Sequence, residues 1–473
     1  MNVLLITTDQ HRWDYVGWAA DSKMQTPNLD RLARGGCAFH DAITTSPLCV
    51  PARCSLMTGL YAHQTGNTGN VGGDLNPVLP MFPKALKNAG YRTEIVGKGH
   101  WTFHVTGSGR EPTRENYKAM QAKQCEAFGW DFWWEACGKE MPRHHYFDWC
   151  RELEDGGVSM EDYISELDRI GQGCYDNSLP LIERMVPAEW SYDPELYVDR
   201  CIGRHARERL EVLTACDQPF LLWASFCGPH PQYDPPVDYL KQEIPQDGVE
   251  PIAPEGEEIT PEEKRHLTEL RRRYRAMIRL IDEEVGQLID LLEASGKSED
   301  TLVIFTTDHG EMLGDHRRLN KSTYYRSAIS IPLVMRGPGI PSGGEYYGPV
   351  ELTDVTATIL EAAGLEPGAI LDHSPSRSLL PVARDPENAS FRDFAFSELG
   401  GWQMIKNGNY KYVAGPSGGD GEPWEWMVDL QEDPLELVDV SEDAKYASAK
   451  EKMRNHLLKT YQMTPAPKIT WIS

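Results

Sequence analysis

Long apolar runs are missing. No stretch of eighteen consecutive apolar residues occurs among the 473, so no segment is fit to cross a bilayer as a helix. Asn2-Val3-Leu4-Leu5-Ile6-Thr7 follows Met1 directly, with no basic stretch and no small-residue cleavage site, and reads as a strand rather than a secretory signal. A cytoplasmic protein without membrane attachment is the expectation. Positive charge is scarce too: 47 Lys and Arg stand against 72 Asp and Glu, a net charge of −25. That balance argues against nucleic acid and against long polyanions docking over a broad surface. An anionic ligand has to be small, or to meet a locally basic pocket. The ten cysteines are scattered and too sparse for a disulfide framework, and most are expected as reduced core residues. Repeats and low-complexity tracts are lacking as well. What is there is globular, 40% hydrophobic and 25% charged, and long enough for one large domain plus a smaller one.

The most informative stretch is Pro47 to Gly59, with Cys49, Pro51 and Arg53 spaced as Cys-X-Pro-X-Arg. Pro51 pre-sets a first helical turn, Ala52 to Met57 continue it, and Gly59 closes it. Cys49 then sits at a helix N-terminus, where free N–H groups favour an anion, with Arg53 one turn later on the same face. This is a nucleophile beside an oxyanion site, or, taken alone, a buried Cys before an ordinary helix.

Three apolar runs read as buried parallel strands: residues 2–7, 220–226 and 301–307. Each ends in polar residues, where open α/β sheets place ligands. The first delivers Asp9 and Gln10, suited to a hard cation or to capping a turn. The second runs into Gly228-Pro229-His230-Pro231, and the third into Asp308-His309-Gly310-Glu311. An Asp-His pair beside Asp9, Gln10 and residue 49 completes a plausible cation site. A fourth strand, Arg92 to Gly97, ends in Gly97-Lys98-Gly99-His100, and at β spacing Lys98 and His100 face one pocket.

Helices are expected over Met24 to Gly35, Pro83 to Gly90 and Pro261 to Ser295, the last stopped by Gly296. Arg271-Arg272-Arg273 within it reads as a solvated face, and residues 243–263 as an exposed loop. The aromatic runs Phe128 to Trp134 and Arg143 to Cys150 are either stacking walls for a sugar or aryl group or, with more weight, an insert packing its own small core. Cys137, His144, His145 and Cys150 fit no usual zinc spacing. The main domain should end between Leu365 and Arg392, with short strands alternating over 394–440.

Taken together, Cys49-X-Pro51-X-Arg53, the phrase Gly90-Tyr91 through Lys98-X-His100, Thr26-Pro27-Asn28-Leu29-Asp30-Arg31-Leu32, and Asp433-Pro434-Leu435-Glu436 resemble the formylglycine-dependent sulfatases, a branch of the alkaline phosphatase superfamily. The resemblance spans essentially the whole chain. It implies an α/β fold: a large catalytic domain (1–380) with a mostly parallel central sheet flanked by helices, and a small C-terminal α+β domain (381–473) with an antiparallel sheet. It implies hydrolysis of a sulfate ester, of a small carbohydrate or an aryl alcohol, by a formylglycine made from Cys49. The implied cofactor is Ca2+, or Mn2+ or Mg2+, held by Asp9, Gln10, the modified Cys49, Asp308 and His309. Arg53, Lys98 and Lys321 would offset charge on the sulfate, and Asp308 would help take the nucleophile's proton. His230 or Lys321 would protonate the leaving oxygen, and His100 would act in releasing sulfate. A maturation enzyme that generates formylglycine is the implied partner. His144, His145 and Arg326 are weaker candidates for substrate contact, since Arg326 stands where the family often has Glu and reads equally as a surface ion pair. Gly99 replaces the usual Trp, which would open room near the nucleophile. The alternative is the phosphonate monoester and phosphodiester hydrolase branch, which shares the Cys motif and the Asp-Gln/Asp-His set but tends to lack Lys-X-His. A non-catalytic binder of sulfated ligands is a further class, and it would be expected to have lost one of these motifs.

Overall fold

The computed structural model describes residues 1–20, 22–70, 75–101, 113–176, 178–242, 250–254, 256–371, 373–416 and 424–465. Eight strands form the larger sheet: β1 (Asn2–Thr8), β2 (Cys37–Ile43), β3 (Arg92–Gly97), β4 (Phe132–Glu135), β5 (Phe220–Ser225), β6 (Thr301–Thr307), β7 (Leu333–Arg336) and β8 (Gly344–Glu351). Their order is β4-β3-β5-β1-β6-β7-β2-β8. Only β7 runs antiparallel to its neighbours. The all-apolar runs lie at the centre, because a parallel strand covered on both faces has no side that water rewards. Along β1, Val3 and Leu5 pack on one face with the helices Cys49–Thr58 and Asp354–Ala362. Leu4 and Ile6 pack on the other with Val198–Thr214 and Pro261–Ala294. The expected α/β architecture is the one observed.

Register decides where the chemistry sits. Thr8 pairs with Thr307, Thr7 with Ser225, and Gly97 with Ser225. The next residues on β1, β6 and β3, namely Asp9, Asp308 and Lys98, therefore emerge at one level of the carboxyl edge.

The helix Pro261–Ala294 begins on a capping box, with Thr260 and Glu263 satisfying each other's backbone N–H groups. Its Arg271-Arg272-Arg273 run is not a solvated face. Arg271 is buried, donates to the Leu313 carbonyl at 2.8 Å and pairs with Asp315 at 3.2 Å. Three consecutive helical residues fan over about 200°, so one of them must turn inward when a loop crosses the helix. The aromatic insert divides: Phe147 and Cys150 of the second run pack with Cys137 in a small core of their own, as expected, while the first run does not. Phe132–Glu135 forms edge strand β4, and Phe128, Trp130 and Trp133 join Trp101 and Trp223 in the main core, with ring centroids 5.2–6.3 Å apart. They extend the large core rather than build a separate one.

A second sheet, in the order β12-β11-β10-β9, is antiparallel: β9 (Ala395–Leu399), β10 (Trp402–Lys406), β11 (Tyr410–Gly415) and β12 (Trp424–Asp429). One face holds Phe396, Ile405, Tyr412 and Met427 against Met453 and Leu457 of the helix Ala447–Met463. The other lays Ala395, Met404 and Val413 on Ile43 and Ile329 of the large domain.

Candidate active site

Cys49 is the first residue of its helix, with extended Leu48 as the cap and Gly59 closing the far end at φ 71°. Asn70 accepts the Val50 N–H at 3.1 Å. The Cys49 thiol is fully buried and lies 3.2 Å from His309 Nε2 and 3.8 Å from Asp9 Oδ1. Asp9, Cys49, Asp308 and His309 each bring one donor atom within 4.8 Å of the others, and they form the one such group among the described residues. His309 Nδ1 faces the Gly310 carbonyl at 3.0 Å. If Nδ1 carries the proton, Nε2 turns a lone pair toward the group, the arrangement metal-bound imidazoles adopt. Two buried carboxylates, an imidazole and a neighbouring amide oxygen suit a divalent cation.

Arg53, one turn on, lies beneath this group rather than over it. It donates to Asp308 Oδ2 at 2.9 Å, Asp9 Oδ2 at 3.0 Å, Ser225 Oγ at 3.0 Å and the Lys98 carbonyl at 2.9 Å. Four of its five donors are thus committed to fixing the strand ends. Lys98 reaches Asp9 Oδ2 at 2.8 Å, and Lys321 donates to the Gln10 amide oxygen. Gln10 N–H and His309 N–H both donate to Asp308 Oδ1, at 3.1 and 2.9 Å. The amide oxygen of Gln10 keeps a second lone pair. Gln10 and His100 hold positive φ, 66° and 58°, and such strained non-glycine residues collect at functional sites.

The charges explain how an acidic protein makes an anion pocket. Burial alone would raise the Asp9 carboxyl, but the positive charges of Lys98, Arg53 and Lys321 outweigh it and hold Asp9 well below its ordinary value. Burial and Asp9 push the Cys49 thiol up, yet Lys321, Lys98 and His309 bring it below normal. His100 is driven well down by burial and then by Lys98 and Arg53, and His230 by desolvation and then by Lys321. Both imidazoles are therefore neutral at neutral pH. His230 Nδ1 lies 2.8 Å from the Pro231 carbonyl.

Lys98, His100, His230 and Lys321 thus gather around Asp9, as their mutual electrostatic influence records. Arg326 does not join them. Its guanidinium lies 3.8 Å over the Trp13 ring. It lines a separate cavity of about 590 Å3 with Arg12, Asp315 and Glu436, bordered by none of the residues around Cys49. His144 is exposed, and its ring lies 6.3 Å from that of His145 on the turn after Met141–Arg143. The space over Gly99 is not open room: a Cβ there would stand 2.4 Å from the Trp133 ring and 3.1 Å from Trp101. The insert supplies the bulk that position 99 lacks. Glu311 carries more of the site than the sequence reading gave it. It accepts from the Gln10 side chain, from Leu313 N–H at 3.0 Å and from Asn320 N–H at 2.6 Å. It therefore aims the Gln10 amide and ties down the loop that carries Lys321. Its signal was its place in Asp308-His309-Gly310-Glu311.

Known proteins resemble this chain along nearly its whole length. Residues 1–365 match the family model described as Sulfatase, and 314–463 match N-sulphoglucosamine sulphohydrolase, C-terminal. An arylsulfatase of Clostridium perfringens (strain 13 / Type A) is 26% identical over 97% of this chain and 94% of its own length. A choline-sulfatase of Rhizobium meliloti (strain 1021) is 27% identical over 94% and 83%. The structure of the phosphonate monoester hydrolase SpPMH from Silicibacter pomeroyi superposes with a TM-score of 0.81 at 22% identity, covering 100% of this chain and 97% of that one. At that identity the likeness is one of fold.

Proposed function

The chain belongs to the sulfatase family and is a sulfuric ester hydrolase, and from that premise we propose that it cleaves small sulfate esters at Cys49 matured to formylglycine. The reading is carried by one observation: the Cys49 sulfur lies 3.2 Å from His309 Nε2, inside the four-donor group with Asp9 and Asp308. The chain's partner in maturation is then a formylglycine-generating enzyme, and the group's cation is calcium or another divalent ion. When bound, such an ion polarises a sulfate oxygen and makes the hydroxyl at position 49 more acidic.

The residues divide the remaining work. Asp9, Asp308 and Glu311 balance Arg53, Lys98 and Lys321, so the field that favours a sulfate monoester comes from the placement of Lys98 and Lys321 and from the divalent cation the group would hold. Lys98 and Lys321 face the ester, while Arg53 positions the ligands. Asp308 already accepts three N–H bonds, which suits a fixed ligand better than a carrier of the nucleophile's proton. Lys321 is the proton donor to the leaving oxygen, because a neutral His230 whose Nδ1 faces a carbonyl offers Nε2 only as an acceptor. Neutral His100 is equipped to take a proton in the step that releases sulfate.

Gln10 and His309 at the cation group support a second reading, phosphonate monoester or phosphodiester hydrolysis, since the resemblance shares that pair with the other branch. The test is turnover of one aryl sulfate against the matched aryl phosphodiester and phosphonate, using protein co-expressed with the maturation enzyme. Cys49→Ala is the blank. Sulfate preference with a silent blank is expected. Preference for the phosphorus esters moves the chain to the second reading, and turnover by Cys49→Ala removes the nucleophile assignment.

A further inference from the structure

Three loops around Lys98, His230 and Lys321 converge on one carboxylate, that of Glu140. The first loop leaves β4 and passes over Lys98. A Cβ on its Gly138 would stand 3.6 Å from Lys98 Nζ, and Glu140 follows two residues later. The second loop carries His230, and its Gln232 donates from Nε2 to Glu140 Oε1 at 2.8 Å. The third carries Lys321. Its Asn320 donates to the Cys174 carbonyl at 2.8 Å, and the neighbouring Tyr175 hydroxyl donates to Glu140 Oε2 at 2.9 Å. Glu140 is thus fixed between the residues that face the ester and a tyrosine ring that is 49% exposed. A charge at Cys49 is felt at the Tyr175 hydroxyl, so this rim lies within electrostatic reach of the reacting atom.

The cations nearest Glu140 in sequence are engaged elsewhere. Lys139 is buried, donates to the Gln232 carbonyl and pairs with Asp234. Arg143 pairs with Asp168 at 2.8 Å. Among the described residues no basic side chain pairs with Glu140, whose oxygens accept from the neutral Gln232 and Tyr175. A carboxylate fixed by neutral donors, with no counter-charge, imposes its field on a group leaving the sulfate pocket. The exposed Tyr175 ring adds a face that attracts cations. Arg326, which the sequence offered for a second anion, lies in a different cavity. We propose that Glu140 is a specificity-determining residue that sorts substrates by the charge of the leaving group, favouring a cationic group and turning away a second anion. The proposal rests on the sulfatase reading above and adds to it the charge borne by the leaving group.

Three aryl sulfates of matched length provide the test, with matured enzyme: para-(aminoethyl)phenyl, para-propylphenyl and para-(carboxyethyl)phenyl sulfate. In the wild type, kcat/KM for the ammonium ester should exceed that for the carboxylate ester about tenfold or more, with the propyl ester between them. Glu140→Gln should lower the ammonium-to-carboxylate ratio about tenfold, whereas Glu140→Asp, which keeps the charge, should retain most of it. Tyr175→Phe removes a hydrogen bond to Glu140 but no charge, and it too should retain most of the ratio. Should Glu140→Gln fail to fold, Glu140→Ala reads the same ratio. A wild type that cleaves the propyl ester but does not favour the cation overturns the proposal and leaves the sulfatase reading standing. A ratio unchanged by loss of the carboxylate, or lost equally in Tyr175→Phe, overturns it as well. A matured enzyme that cleaves no sulfate ester sinks the reading beneath it.

Discussion

Arg53 was legible in the sequence as a cation one turn from the nucleophile, and its position is as read. Its role differs, for a reason spacing does not carry: the guanidinium points down the sheet edge, into Asp9, Asp308 and Ser225. Arg53→Lys keeps the charge but loses the fork that holds both carboxylates. Turnover of an aryl sulfate should fall about a hundredfold or more, the scale of a displaced catalytic constellation. A fall below threefold would show that charge alone is what position 53 supplies. Lys321 and His230 can be separated by leaving group. If Lys321 donates the proton, Lys321→Ala should cost a sugar or alkyl sulfate about 10²–10⁴-fold and a nitrophenyl sulfate much less, since nitrophenolate leaves unaided. The same pattern in His230→Ala, with none in Lys321→Ala, would reverse the assignment. Gly99 marks the limit of residue-by-residue reading. The missing indole looked like free space, yet Trp133, on a strand 34 positions later, fills it.

At the scale of elements, the sequence disclosed what burial makes emphatic. β1, β5 and β6 are continuous apolar runs because both faces are covered, and the proposed site residues Asp9, His230 and Asp308 follow them. β2, β4, β7 and β8 lie toward the sheet's ends; β4 and β7 have four residues each and β8 is partly exposed, so no long apolar signal marks them. The exit of β5 is held by a residue no motif flagged. Asp199, fully buried in the first turn of the helix Val198–Thr214, accepts the N–H groups of Cys227 and Gly228 through Oδ1, at 2.8 and 3.0 Å. This fixes the start of the His230 loop. Burial pushes its carboxyl from 3.8 to about 6. The folded state then holds a proton that the unfolded chain has lost, so this group's contribution to stability is greatest below about pH 4 and declines as pH rises to about 6. The decline is at most about 3 kcal/mol for a shift of two units. Asp199→Asn removes the titration and keeps the Oδ1 acceptor. The stability difference between wild type and Asp199→Asn, from urea unfolding at pH 4 and pH 7, should therefore change by about 1–3 kcal/mol against the wild type. An unchanged difference would mean that Asp199 titrates alike in both states.

For the molecule as a whole, the proposed site residues come from segments far apart in sequence, and one β-register brings them together. Asp9, Cys49, Lys98, His230, Asp308 and Lys321 were each readable from local motifs. The seam with the smaller sheet was not, because Glu398 and Trp402 meet Thr45 and Tyr324 only once β9 and β10 dock. The cation group offers the test at this scale. Its four donors come from β1, β6 and the helix Cys49–Thr58, so an ion bound there ties three elements and should stabilise the folded chain without regard to turnover. An ion at a hundred times its dissociation constant contributes about 2.7 kcal/mol if the unfolded chain does not bind it. Chelator-treated protein should thus melt some degrees lower than protein with excess Ca2+, by calorimetry. In Asp308→Asn, which removes one charged donor while keeping the side chain's shape, the Ca2+-dependent shift should shrink to a small fraction. This holds whether or not Cys49 has been matured, since Asp9, Asp308 and His309 stand in either form. A shift of equal size in Asp308→Asn would place the ion elsewhere in the molecule and take the four-donor group out of the mechanism.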